Sequence, residues 1–358
     1  MSDVAQKPLL AVTLGDAAGV GPEVIVRAWA EPRVHSCCRP VVLGHPEIVR
    51  RAVSLIGGRA TVKVLDSVST ISQLGLDLSS PDVIPVLPVG ADDVLGAPLG
   101  KVSACTGQAA YEAVVLATRR ALAGQFAGIV TAPLSKRALH EAGQLYPGHT
   151  ELLADLCGVE DFAMMLYLPK AELPHSRAGL GVVHTTLHCA LRTVPGQLTP
   201  ELIAAKCRLA HAVMKNGFGV ETPQIGVCAL NPHAGEENLF GDEETRIIAP
   251  AVGRARAEGV AAAGPLSADT LMIRARDGEF DAVVAMYHDQ GHIALKLLGM
   301  HRAVNITLGL PIVRTSVAHG TAFDRAWQGT AEASGMVAAL LAAAELARRN
   351  FRFRVGGA

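Results

Sequence analysis

Aromatic residues make up only 4% of this chain, and no basic run is interleaved with them. The stacking platforms and cationic stripes of nucleic-acid binders are therefore missing. Neither charge sign is in excess: 32 Lys plus Arg stand against 33 Asp plus Glu, so no overall field draws a polyanion or an anionic membrane. No apolar run reaches the roughly 20 residues a membrane span needs. The start, Met1 to Lys7, lacks the basic and apolar blocks of a signal peptide. The seven cysteines are scattered, with no C-x-x-C, which argues against a disulfide framework or zinc knuckle and for a reducing cytoplasm. Neither nucleic acid nor a membrane is an expected partner.

What is present is a large apolar fraction, 50% of 358 residues, enough for two domain-sized cores. Strands are predicted at Leu9 to Leu14, Val41 to Leu43, Ile129 to Thr131, Gly181 to His184, Ile225 to Ala229, Ala282 to Met286 and Val304 to Thr307. Helical patterns begin near Pro22 and cover Ser103 to Leu122, Pro200 to Lys215, Glu243 to Glu258 and Glu332 to Arg348. This alternation predicts an α/β protein with a mostly parallel sheet. Leu168 to Gly181 reads as a loop, and Gly356 to Ala358 as a frayed end.

The turn Gly15-Asp16-Ala17-Ala18-Gly19-Val20-Gly21-Pro22-Glu23 hands the first strand to a helix. Glycines there permit a tight turn and close approach of a ligand, and a helix N-terminus favours anions. The spacing is not G-x-G-x-x-G, so a purely structural turn explains it equally well. Thirteen histidines are too many to read as ligands on sight. His188, His233 and His288 follow strand ends, beside Asn231, Glu236 and Asp289, and three neutral imidazoles suit a divalent metal. A hydrogen-bonded strand-end histidine is the plainer reading of any one of them, and His184, His292 and His319 compete. Lys296, Asn305 and Arg314 offer groups for an anionic substrate, Arg314 foremost. No G-x-S-x-G elbow surrounds Ser135 or Ser316, which disfavours a serine hydrolase.

Several of these segments resemble the PdxA family, the 4-hydroxythreonine-4-phosphate dehydrogenases and their relatives. They are the glycine turn, Thr131-Ala132-Pro133, Gly148-His149-Thr150-Glu151, Asn231-Pro232-His233-Ala234-Gly235-Glu236, Tyr287-His288-Asp289-Gln290-Gly291 and the run from Asn305 to Ser316. The resemblance covers residues 9 to 345 in family order. It implies a fold similar to isocitrate and isopropylmalate dehydrogenases: two α/β domains with mostly parallel sheets, a cleft, and a homodimer whose chains share the active site. Residues 1–130 with 311–358 would form the cofactor-side domain, and 131–310 the domain bearing metal, substrate and dimer contacts. By the same resemblance, His188, His233 and His288 bind one divalent metal, zinc first, with magnesium, cobalt, manganese or nickel as alternatives. His149, Thr150, Lys296, Asn305 and Arg314 bind a phosphorylated hydroxy acid. Gly15, Asp16, Gly19, Gly21, His319, Gly320, Thr321, Ala322 and Asp324 hold NAD, or NADP. Lys296, Asp289 and Asp269 are the catalytic candidates, for oxidation at C3 followed by loss of carbon dioxide.

Some positions depart from the family pattern. Ser135 stands where biosynthetic members have histidine or asparagine, Ala318 replaces an aspartate, and Ala17 replaces a proline. The loop from Leu168 to Gly181 looks long, and Cys189-Ala190-Leu191 is unusual after His188. The run His288 to Ile293 is more similar to the branch acting on 4-phosphorylated threonate or erythronate. A third branch, acting on cis-dihydrodiols of aromatic dicarboxylates such as terephthalate, lacks the Gly-His-Thr motif and the arginine present here. The expected substrate is thus a phosphorylated four-carbon hydroxy acid, with amino or hydroxyl at C2 left open. A dihydrodiol dehydrogenase, an inactive ligand-binding homologue and a metallohydrolase are the alternatives.

Overall fold

The computed structural model describes residues 7–68 and 80–353, so the terminal readings at Met1 to Gln6 and Gly356 to Ala358 lie outside it. Among the described residues, twelve strands form in chain order. They are β1 Leu9–Thr13, β2 Arg39–Gly44, β3 Thr61–Val64, β4 Val83–Pro88, β5 Gly128–Thr131 and β6 Ala163–Leu168. They continue as β7 Leu180–His184, β8 Gln224–Cys228, β9 Ala261–Leu266, β10 Ala282–Ala285, β11 Val304–Leu308 and β12 Val313–Val317. All seven strands expected from the sequence are among them. The chain divides into two compact units, Met1–Glu160 with Leu310–Ala358, and Asp161–Gly309.

In the first unit the strand order is β3-β4-β2-β1-β5-β12, and every pairing is parallel. Runs such as Leu-Leu-Ala-Val-Thr and Gly-Ile-Val-Thr are almost wholly buried and mostly apolar because helices cover both faces of such a sheet. Only the edge strand β3 is largely exposed. Proline starts the helices Gly21–Trp29 and Pro46–Leu55, where its missing N–H costs nothing. Trp29 is buried and its indole N–H donates to the Val83 carbonyl at 2.9 Å.

In the second unit the order is β11-β6-β7-β10-β8-β9. β6 runs antiparallel to both neighbours, while β7, β10, β8 and β9 are mutually parallel. The long loop after β6 is tied down by the Arg177 guanidinium on buried Asp281 and by the Tyr167 hydroxyl on the Ala178 carbonyl at 2.7 Å. No helix among the described residues is long and apolar enough to cross a membrane.

Candidate functional site

In the second unit, three neighbouring parallel strands, β7, β10 and β8, end side by side. Each then leads to one of the expected metal histidines: β7 to His188, β10 to His288 and β8 to His233. The carboxyl edge of a parallel sheet is where such folds place their sites. Gln290 joins two of these ends, accepting from the Met286 N–H and donating to the Ala229 carbonyl, both at 2.7 Å. The His233 loop rests on buried Glu244, whose carboxylate accepts the N–H groups of Leu230 and Asn231 at 2.8 Å. From His233 to Asn238 every residue has positive φ, between 44° and 81°. For a non-glycine residue this costs roughly 1–2 kcal/mol, so the Glu244 anchor holds a strained loop in place.

His288 Nδ1 lies 2.7 Å from Asp289 Oδ1, and His233 Nδ1 lies 3.0 Å from Glu236 Oε2. An ionised carboxylate only accepts, so each ring carries its proton on Nδ1 and presents the Nε2 lone pair. Metal-binding imidazoles are oriented in this way, and the donor set fits a divalent metal. The His188 and His288 rings lie 5.9 Å apart. They line a cavity of about 480 Å³ together with Leu187, Cys189, Leu191 and Asp289. Among the described residues, however, no group of three His, Cys, Asp or Glu side chains is placed to hold a metal. Within one chain the three histidines share a sheet edge without forming a ready-made triad.

Behind His288 lie His184 and His292, 1% and 9% exposed. His184 Nδ1 faces the Met164 carbonyl at 3.4 Å, and its Nε2 faces His292 Nδ1 at 3.0 Å. Burial pushes the His184 pKa down to about 3 and that of His292 to about 4, so both rings are neutral at pH 7. The carbonyl can only accept, which sets the protons: His184 donates from Nδ1 and accepts at Nε2 from the Nδ1–H of His292. Lys296 is half-buried on the same helix, His288–Gly299. Asn305, on β11, has a buried Oδ1 with no donor among the described residues. Asp269 is exposed at the head of the helix Ala268–Arg276, accepting the Thr270 N–H at 2.8 Å.

In the first unit, β5 and β12 run parallel, and Arg314 on β12 is 2% exposed. Its guanidinium donates to the Thr131 hydroxyl at 2.8 Å. Burial pushes its pKa down to about 9, against the opposing effect of the Glu151 carboxylate. His149 opens the helix His149–Cys157 and Thr150, its next residue, is buried. The buried His149 Nε2 has no partner among the described residues. Burial and then the Arg314 charge hold the His149 pKa well below 6.5. A buried guanidinium, a neutral imidazole with an unmet nitrogen, and a helix N-terminus are groups whose chemistry suits an anion.

The glycine turn is filled by the chain itself. A Cβ on Gly15 would stand 2.3 Å from the Pro133 carbonyl oxygen, and one on Gly21 2.5 Å from that of Leu14. One on Gly19 would stand 3.0 Å from the Thr321 carbonyl oxygen, which also accepts the Val20 N–H at 3.0 Å. Glu23 accepts the N–H groups of Trp327 and Gly329. Packing thus accounts for these glycines without a ligand. Asp16 differs: its Oδ2 is buried with no donor among the described residues, and burial raises its pKa. With His319, Gly320 and Asp324 exposed and Thr321 and Ala322 half-buried beyond β12, Asp16 is the feature that fits a cofactor's donor group.

The family model described as "Pyridoxal phosphate biosynthetic protein PdxA" matches residues 36–343. A 4-hydroxythreonine-4-phosphate dehydrogenase of Geobacter metallireducens is 46% identical over 344 residues, 96% of each chain. A D-threonate 4-phosphate dehydrogenase of Pectobacterium atrosepticum is 42% identical over 340 residues, 95% of this chain and 99% of the relative. The chain belongs to the PdxA family. The crystal structure of a 4-hydroxythreonine-4-phosphate dehydrogenase from Klebsiella pneumoniae matches it with a TM-score of 0.83 at 43% identity, over 95% of this chain and 100% of that one.

Against that background, Ser135 has a local role: its hydroxyl caps the helix Lys136–Glu141 by accepting the Ala138 N–H at 3.2 Å. The Thr131 hydroxyl as a partner of Arg314 is not legible in the sequence, although Thr131 lies within one of the family-like motifs. In sequence His184 and His292 are only rivals of the metal histidines, whereas in the fold they form a buried pair behind one of them. A histidine one helical turn after His288 was the available signal.

Proposed function

We propose that this chain is an NAD-dependent dehydrogenase that oxidises and decarboxylates a 4-phosphorylated 3-hydroxy acid, either 4-hydroxythreonine 4-phosphate or 4-phosphothreonate. The anion-suited groups of the first unit carry this reading. Arg314 is buried, charged and already oriented by Thr131, and the His149 Nε2 lacks a protein partner. A phosphate dianion supplies the acceptor oxygens that the His149 Nε2 lacks among the described residues and a charge complementary to the Arg314 guanidinium.

When bound, NAD supplies the hydride acceptor and a divalent metal, zinc first, supplies Lewis acidity at the C3 hydroxyl. The Nε2 atoms of His188, His233 and His288 are the ligands we assign. Asp289 is engaged with His288, and Asp269 is exposed and bound to its own helix. Lys296 is therefore the proton carrier we favour, and Asn305 Oδ1 accepts from a substrate hydroxyl or amine.

A second copy of the chain completes the metal site in this reading. Ile293, Leu297 and Met300 leave an apolar stripe exposed on and just past the helix that begins at His288, and Leu239 and Phe240 are exposed near His233. Covering them in a symmetric dimer removes apolar surface from water and brings histidines from a second chain. All seven cysteines are free, which suits a reducing cytoplasm.

The test is an absorbance assay at the NADH band with a divalent metal, on both phosphorylated acids, their unphosphorylated counterparts and a terephthalate-type dihydrodiol. NADH is expected from a phosphorylated acid, with little from its unphosphorylated counterpart. Turnover of the dihydrodiol alone would overturn the proposal.

A further inference from the structure

The pair behind His288 is built with some care for distance. The His292 ring lies parallel to that of His288, centroids 3.8 Å apart and planes 11° apart. It is one helical turn further along the same helix, so the two rings share a face. His292 cannot drift, because its Nδ1–H is taken by His184 at 3.0 Å, and His184 is in turn tied to the Met164 carbonyl of β6. The helix approaches closely enough for this bond only because residue 291 is glycine: a Cβ there would stand 2.7 Å from His184 Nε2 and 2.5 Å from Val182 Cγ1. Asp289 holds the edge of the His288 ring at Nδ1. One face and one edge of His288 are thus fixed, and its Nε2 is the ring nitrogen not engaged by Asp289.

Resting on the assignment of His288 as a metal ligand, we propose that His292 is a positioning residue for it. The chain Met164–His184–His292 sets the plane of the His288 ring and so the direction of its Nε2 lone pair. Imidazoles that bind metals owe part of their affinity to such supporting groups, whose loss costs about 10- to 100-fold.

Two variants of the full-length protein test the role, with Co²⁺ as the probe and its visible absorption as the readout. His292→Leu removes both the donor to His184 and the flat group against His288, whereas His292→Asn keeps an N–H at the position of Nδ1 and presents a planar amide to the His288 ring. We expect His292→Leu to weaken Co²⁺ binding about 10- to 100-fold and to change the absorption envelope. His292→Asn should recover most of the affinity, and kcat should fall more than KM rises in the leucine variant. Equal Co²⁺ affinity in His292→Leu and the parent protein would overturn the proposal, as would an asparagine variant as weak as the leucine one. Failure of the parent itself to bind Co²⁺ would overturn the metal assignment, and this inference with it. If His292→Leu fails to fold, His292→Asn against His292→Gln gives the same comparison, since glutamine carries its amide one bond too far.

Discussion

In the first unit the functional charge is hidden. Arg314 is 2% exposed and the His149 Nε2 is sealed in without a partner. In the second unit the side chains of His233 and His288 are 69% and 36% exposed, and each is already paired with a carboxylate. The first site bears a desolvation cost before any ligand arrives, and in the function proposed above an anion offsets part of it. The second bears its cost in the backbone, through the positive-φ run at His233, and keeps its polar groups in water until something covers them. Electrostatic preorganisation and conformational preorganisation are thus divided between the units.

The largest effect is expected where the charge is buried. Arg314→Met should lower kcat/KM for a phosphorylated substrate by on the order of a thousandfold, chiefly through KM. Its melting temperature should hold or rise, because the ligand-free protein no longer buries a guanidinium. Thermal melts and steady-state kinetics on the same preparation check both halves. A large fall in melting temperature with an unchanged KM would break the contrast, since Arg314 would then be a structural element.

A smaller effect on folding, but a clear one on composition, is expected in the second unit. His233→Ala should lose most of its bound metal in elemental analysis while remaining folded, because the side chain is exposed and its loop is held by Glu244. Normal metal content in that variant would remove His233 from the ligand set.

The sequence displayed this division unevenly. Strands buried on both faces, such as β1, β5 and β10, announce themselves as apolar runs. The missed ones do not. β6 is Ala-Met-Met-Leu-Tyr-Leu, dominated by helix formers, and β9 is Ala-Ala-Ala-Gly-Pro-Leu. β12 contains Arg314, Thr315 and Ser316, and reads as polar because it carries part of the proposed anion site. His188, His233 and His288 were visible as strand-end residues, yet their neighbourhood depends on strand order: β10 lies between β7 and β8 although it follows both in the chain. No local pattern encodes that. The glycine turn left a ligand and a structural turn equally open in the sequence, and the close approach of Pro133, Leu14 and Thr321 gives its glycines a packing role.

The smallest expected effect concerns pH and again separates the units. His149 has a folded pKa well below its ordinary 6.5, so between those values the unfolded chain takes up a proton that the folded chain refuses. Stability is therefore fully present above about 6.5 and is lost as pH falls, by at most about 1.4 kcal/mol per pH unit for this group. His184 and His292 act in the same sense in the second unit. Urea midpoints measured at pH 6.5 and 5.5 should fall for the parent protein, and fall less for His149→Asn. Saturating phosphate should narrow the difference, because a phosphate seated beside His149 favours its protonated form and returns part of the lost stability in the parent alone. An unaltered slope in His149→Asn would mean that water reaches Nε2, and the first unit would then resemble the second more than its buried arginine implies.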